Sequence, residues 1–420
     1  MSDDRRVVVT GLGIISGAGC DLDTFWQRVL KGPSCVQPIT LKGDGAVALD
    51  MPIGVPVAFN ASVHVGRKAR KMDRAAQLVC ASARDALADA QLTITDRNRT
   101  RVGVVIGSSR GPIEKTLDVA LMVRESRHLR IPPTQVAHSA LASINGNLSL
   151  HFGLRGPSYF VSTACASGTH ALGIARDQIM LGHADVVVAG GTETPLNTLM
   201  YSMYVRLDIV SKRTDAPASA MRPFDRTRDG IALGEGAAVL ILEELEHARK
   251  RGARIYAELA GYGAGSDAHS VAAMPADGHS LLRSIRDALQ MAELNPQSLD
   301  YVNSHGTGTL LNDRVEVNVL KQLFDGKDDC PMSSTKPITG HCIGATGAME
   351  ALVSVLAIDR GILPPSFNYD RGDEENQWRG ILRQAREARV NAVITNSTGF
   401  WGSNCCVVFK KAMVGNRTGG

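Results

Sequence analysis

The chain carries one structural statement twice. In its first half, TACASGTHAL (163–172) is followed by the apolar run DVVVAGG (185–191) and then by GAAVLILEE (236–244). In its second half, GHCIGATGAMEAL (340–352) is followed by NAVITNSTG (391–399) and NCCVVFKK (404–411). Each set reads as a helix start among small residues, a buried strand, and a second apolar strand ending in charge. A solenoid would repeat every roughly 20–50 residues, so a repeat half a chain long calls for a duplicated α/β unit. Packing two such units together, with helices between their sheets, brings the helix starts at Cys165 and His341 into one central site. A chain of 420 residues is too long for one ordinary core and suits two packed halves. We place them at 1–252 and 253–412, followed by a flexible tail, 413–420.

The helix start at Cys165 is the more chemically pointed of the two. Free N–H groups and the positive end of a helix dipole stabilise an anion, which predicts a thiol pKa below the free value of about 8.5. Ala164, Ala166, Ser167 and Gly168 leave room for a carbonyl to reach the sulfur. The competing reading is a buried cysteine packed at a crowded crossing. Three more stretches carry reactive side chains: His305 in NSHGTGT (303–309), Lys336 and His341 in SSTKPITGH (333–341), and the loop NSTGFWGSN (396–404). One thiol with two neutral imidazoles suits covalent catalysis and stabilisation of a developing oxyanion or enolate. Zinc held by Cys165, His305 and His341 matches no known ligand spacing.

Other features close off alternatives. A net charge of +4 gives no case for nucleic acid, although it permits a local basic face. No run of about 18 apolar residues predicts a membrane span. The eight cysteines are scattered without metal spacing, which favours reduced thiols in a cytoplasm. VVVTGLG (7–13) predicts a strand ending in a glycine turn. Its glycines at 11, 13 and 17 miss the dinucleotide fingerprint, and no acid follows a second strand. RKARKMDR (67–74) opens a long helix in this reading. Asp313 and Glu316 fit a capping box, and RPFDRTRDG (222–230) a loop of turns and ion pairs. Cys405 and Cys406 read as strand core.

TACASG, RPFDRTRDG, NSHGTGT, STKPITGHCIGATGAME and GFWGSN, in that order, resemble the motifs of the β-ketoacyl-[acyl-carrier-protein] synthases. The resemblance covers nearly the whole chain, and the LLNDRVE stretch and the RPFDRTRDG loop are similar to ketosynthase subunits of type II polyketide systems. It implies a thiolase-like α/β fold, a duplicated five-layered α-β-α-β-α architecture, and a dimer, either with itself or with a chain-length-factor-like subunit. It implies decarboxylative condensation of malonyl units in fatty acid or type II polyketide assembly. Substrates would ride on the phosphopantetheine of an acyl carrier protein, with no further cofactor. Cys165 would carry the acyl chain, and His305 and His341 would favour decarboxylation. Lys336 and Glu350 would hold the histidine region. The N–H groups of Cys165 and Phe400 would form the oxyanion hole. Thr307 and Thr309 would meet the pantetheine arm, and Arg67, Arg70 and Lys71 the carrier protein.

Four places depart from the family's pattern. Arg110 stands at the floor of the acyl pocket, where relatives place a small or aliphatic residue. Thr398 replaces a phenylalanine and Trp401 a glycine in the loop that gates that pocket. SDAHSVAAMP (266–275) moves a histidine to 269 and puts Ala272 in place of threonine. These changes argue against long saturated chains, since a guanidinium is costly to bury against alkyl carbon. An alternative turns Arg110 into the dimer interface, paired with an acid. Two other activities are a non-catalytic chain-length factor, which usually lacks the cysteine, and a degradative thiolase, which needs a second cysteine as base.

Overall fold

Strand β1 (Val7–Ser16) is buried along its whole length, and so are the strands Val186–Glu193 and, but for its last residue, Gly236–Glu244. Strands of that kind must be covered on both faces, which demands helices above and below the sheet. The computed structural model describes residues 5–41, 51–374 and 377–412. The predicted tail lies outside them.

Five strands of the first half follow the chain as β1, β2 (Val102–Gly107), β3 (Ser158–Val161), β4 (Val186–Glu193) and β5 (Gly236–Glu244). Five of the second follow as β6 (Ala257–Ser266), β7 (Tyr301–Asn303), β8 (Met332–Ser333), β9 (Ala392–Gly399) and β10 (Ser403–Lys410). Their spatial orders are β3-β2-β4-β5-β1 and β8-β7-β9-β10-β6, the same topology written twice. Strand directions repeat as well: β2 is parallel to β3 and β4, as β7 is to β8 and β9. The halves meet edge to edge, where β1 pairs antiparallel with β6 at Val8–Glu258 and Val9–Ala257. The two predicted sheets are joined at one edge by those two residue pairs, so that their ten strands form one hydrogen-bonded run.

Three hydrophobic cores fill the spaces between layers. One lies under α1 (Arg74–Asp89) and α2 (Ser143–Phe152), and another under α4 (His279–Met291) and α5 (Leu310–Leu323). The central core holds α3 (Ser167–Met180) and α6 (Thr346–Arg360). Helix, sheet, helix pair, sheet, helix gives five layers. The central pair crosses so closely that a Cβ on Gly168 would lie 2.8 Å from Ala348 N, and one on Gly347 1.9 Å from Thr169 Oγ1. Each glycine opens α3 or α6 to the other, which is why both helix starts are rich in small residues.

Several local expectations need correction. Strand β1 does not end in a turn at its glycines but continues through Gly11 and Gly13, with a register shift between Val9 and Gly11. A Cβ there would strike Ala86 O at 2.3 Å and Ser82 O at 2.0 Å, so these glycines admit α1 onto the sheet. Arg67–Lys71 is a separate 3-10 turn. The long helix begins only after Asp73, whose side chain accepts from Ala75 N–H and caps it. Asp313 is not a cap either, because α5 starts at Leu310 after Thr309 and carries Asp313 and Glu316 inside it. Cys405 and Cys406 are fully buried strand residues, as read from the sequence.

Candidate active site

Strand β3 hands over to α3 through a tight crossing. Ala164 takes φ 51°, a left-handed conformation, and Cys165 follows it. The crossing is locked from within: Ser167 Oγ accepts from Thr163 N–H at 2.9 Å and donates to Ala164 O at 2.6 Å. Helix α3 starts at Ser167, so Cys165 lies just outside its first turn. Burial pushes the Cys165 thiol up to about 12, against the attraction of the Lys336 charge and of its own backbone N–H. The buried carboxyls of Glu193 and Glu350 raise it further. The expected depression of this thiol is therefore reversed, because lost solvation outweighs what the helix end supplies.

His305 follows β7, and its backbone is gripped by Glu316. That carboxylate accepts from His305 N–H at 2.6 Å, Gly306 N–H at 2.8 Å and Asn396 Nδ2 at 2.8 Å. Lys336, fully buried, donates to the His305 carbonyl and to Glu350 Oε1 at 2.5 Å, with its Nζ 3.4 Å from His305 Nδ1. An ammonium beside Nδ1 leaves that nitrogen as acceptor and puts the ring proton on Nε2. His341 Nδ1 lies 3.1 Å from Thr346 Oγ1, at the start of α6. The imidazoles stand 5.5 Å apart at 81°. Burial first, then the Lys336 charge, lowers both well below the usual histidine range. Both rings are neutral near pH 7.

Two polar frames brace these residues. Glu193, at the end of β4, escaped the sequence reading. It accepts from Ser109 N–H at 2.6 Å, Arg110 N–H at 3.1 Å, Ser108 Oγ at 3.1 Å and Gly344 N–H at 3.1 Å, so it ties the loop after β2 to the loop before α6. Burial without a cation holds its carboxyl up at about 7. A lone acid closing an otherwise apolar strand, in DVVVAGGTE, was its only trace in the sequence. The second frame is the RPFDRTRDG loop, which does consist of turns and ion pairs. Asp313 accepts from Phe224 N–H at 2.7 Å and Gly308 N–H at 3.1 Å, and Arg228 Nε lies 3.7 Å from it.

Two cavities meet at the sulfur. The first, mostly apolar, is lined by Cys165, His305, His341, Thr307, Thr309, Thr398 and Phe400 and by Ala272, Ala273 and Met274 of the divergent 266–275 stretch. Thr307 and Thr309 hydroxyls lie 2.9 Å apart on its wall. Thr398 Oγ1 donates to Asn312 Oδ1 at 2.9 Å, and Asn312 Nδ2 donates to Asp313 Oδ1 at 3.1 Å. The second cavity shares Cys165, Tyr204, Ile343 and Phe400 and continues to Ser109, Arg110, Ser162, Thr163, Trp401 and Ser403. Gly399 lets its loop close on Cys165, since a Cβ there would stand 3.1 Å from Cys165 N. Trp401 is 71% exposed at φ 63°.

Arg67, Arg70 and Lys71 are exposed, away from either cavity. Glu350 is sealed behind Lys336, with its Oε2 left without a hydrogen-bond partner and its carboxyl raised by burial to about 7. Among the described residues no group of three or more His, Cys, Asp or Glu could hold a metal ion, and Cys165, His305 and His341 do not form one.

Comparison with known proteins agrees with this geometry. Residues 4–248 match the model for the beta-ketoacyl synthase N-terminal domain, and residues 256–370 that for the C-terminal domain. The chain is 38% identical to the 3-oxoacyl-[acyl-carrier-protein] synthase 2 of Rhizobium meliloti strain 1021, over 97% of this chain and 99% of the relative. A beta-ketoacyl synthase from Burkholderia phymatum superposes with a TM-score of 0.90 at 31% identity, over 97% of this chain and all of that one (100%). The ishigamide ketosynthase/chain length factor gives 0.88 at 29%, over 97% and 99%. With its paired domains matched in order and Cys165, His305 and His341 gathered at one cavity, the chain belongs to the beta-ketoacyl synthase family.

Proposed function

We propose that this chain is a β-ketoacyl-[acyl-carrier-protein] synthase, an acyltransferase that works in two halves through a covalent enzyme intermediate. The observation that carries the reading is that Cys165, His305 and His341 line one cavity. In the first half, Cys165 Sγ attacks the thioester carbonyl of an acyl carrier protein. The bond from carbon to the pantetheine sulfur breaks, and the proton of Cys165 leaves with the arm thiol. The N–H groups of Cys165 and Phe400 hold the oxyanion. In the second half, a malonyl thioester binds along Thr307 and Thr309. His305 and His341 donate from neutral rings to its carbonyl oxygen, where enolate charge gathers as the C–C bond to CO2 breaks. The enolate carbon then attacks the Cys165 thioester, the S–C bond breaks, and the Cys165 thiolate takes a proton from solvent.

Lys336 and Glu350 are positioning residues in this scheme, fixing the His305 tautomer and loop. Arg67, Arg70 and Lys71 form the face that steers an acidic carrier protein. The division at 252/253 follows the repeat of strand order. A second chain fits against the free edge of β3, where Tyr159 and nearby Leu150 are 44% and 82% exposed. That chain is a second copy or a chain-length-factor-like subunit, and the pathway is fatty acid or type II polyketide assembly. No described helix is long and apolar enough to cross a membrane, and we place the enzyme in the cytoplasm.

Cys165 opposes the chain-length-factor reading, and the burial of Cys405 and Cys406 opposes a thiolase that uses them as base. The test is incubation with acyl-carrier protein followed by malonyl-carrier protein. We expect the acyl mass on Cys165, then CO2 and a β-ketoacyl product, and no loading on Cys165→Ala. Condensation by Cys165→Ala at the wild-type rate would overturn the reading.

A further inference from the structure

The cavity beyond Cys165 is markedly more polar than the one that holds the two imidazoles. Past the shared neck at Cys165, Tyr204, Ile343 and Phe400, its walls are the hydroxyl-bearing Ser109, Ser162, Thr163 and Ser403, with Ala164, Arg110 and Trp401. Ser162 Oγ donates to Ser109 O at 3.1 Å, which braces that wall. The backbone of Arg110 is pinned: its N–H donates to Glu193 at 3.1 Å, and the next N–H, of Gly111, to Ser108 Oγ at 2.9 Å. These bonds fix the main chain of Arg110 at the cavity's rim, where the residue is exposed. No acidic side chain lines the cavity, and no ion pair to Arg110 occurs among the described residues. Its charge acts on the hydroxyl of Tyr204, one of the neck residues.

The geometry points to an acyl pocket for chains that carry an oxygen acceptor beyond the thioester, with Arg110 as the group that receives it. The inference rests on the proposed function, since the chain must first reach Cys165. An alkyl tail entering here would strip water from the guanidinium and the hydroxyls and return no hydrogen bond. A carboxylate or keto oxygen would replace that water with a charge-assisted bond. The two acceptors share this chemistry and are separated below. Loading itself is ordinary thioester exchange: Cys165 Sγ bonds the acyl carbon, the arm sulfur departs, and the thiol proton goes with it.

The experiment offers the full chain three N-acetylcysteamine thioesters of equal backbone length, hexanoyl, 5-oxohexanoyl and adipoyl, and follows the mass added at Cys165 with time. We expect at least one oxygen-bearing chain to load about tenfold faster than hexanoyl, and Arg110→Leu to bring the ratio to within about twofold of unity. Faster adipoyl loading assigns a carboxylate, and faster 5-oxohexanoyl loading a keto oxygen. The readout is a ratio on one protein sample, so partial misfolding of the variant does not disturb it. Fastest loading of hexanoyl by the wild type, or a ratio that Arg110→Leu leaves unchanged, overturns this inference alone. Failure of all three to load overturns the proposed function and this inference with it.

Discussion

Lys336 Nζ stands 2.5 Å from Glu350 Oε1, and neither side chain reaches water. A pair sealed in this way contributes little net stability, yet removing one partner strands the other charge. Lys336→Met is expected to destabilise the fold by about 3–5 kcal/mol, and the double variant Lys336→Met/Glu350→Leu by clearly less. Urea unfolding of the set checks this. CO2 release from malonyl-carrier protein should fall in both, because each loses the ammonium that fixes the His305 tautomer.

The Cys165 thiol, pushed up by burial to about 12, is protonated at neutral pH. Its thiolate fraction therefore grows about tenfold per pH unit across the accessible range. Alkylation of Cys165 by iodoacetamide, followed by mass spectrometry, should keep accelerating from pH 7 to about 10. A plateau below pH 8 would show a thiolate already formed.

Removing Glu193 would leave four donors in two loops without an acceptor. Glu193→Ala is expected to cost at least about 3 kcal/mol in chemical denaturation, more than any single exposed carboxylate. It should also speed hydrogen exchange at Ser109, Arg110 and Gly344.

Thr398 ties its loop to Asn312 through one hydroxyl hydrogen bond. Thr398→Val removes the hydroxyl but keeps the shape. We expect a loss of about 1–2 kcal/mol, since Asn312 Oδ1 stays buried and loses its donor. Thr398→Ser should restore most of it.

Trp401 lies at φ 63° with its ring largely in solvent. Trp401→Gly should therefore stabilise the chain by about 1 kcal/mol, read as a raised urea midpoint. If the ring also restricts the gate, the loading and condensation rates of Trp401→Gly will shift relative to each other. Equal changes in both would confine its effect to the backbone.

Much of the architecture was legible because the repeat is written in residue size. TACASG and GATGAM must be small where α3 and α6 cross, and the strands around them must be apolar on both faces. The misreadings share one cause: local patterns have local rules, and tertiary contacts override them. Asp313 and Glu316 fit the spacing of a capping box, yet Thr309 precedes the helix and both acids turn inward to hold the histidine loop. The run from Arg67 looked like a helix start, while the cap that begins α1 is Asp73. Glu193 left almost no trace, because four of its partners lie in loops distant in sequence. The thiol was misjudged because a helix terminus can be read from a sequence and the depth of burial cannot.

The paired glycines that key α3 to α6 also bear on how this molecule can change over generations. Neither repeat is free to diverge by itself, since a methyl group gained on one helix must be matched by retreat of the other. The repeat thus carries a mutual constraint, in which the lobe bearing the sulfur and the lobe bearing the imidazoles keep each other in register.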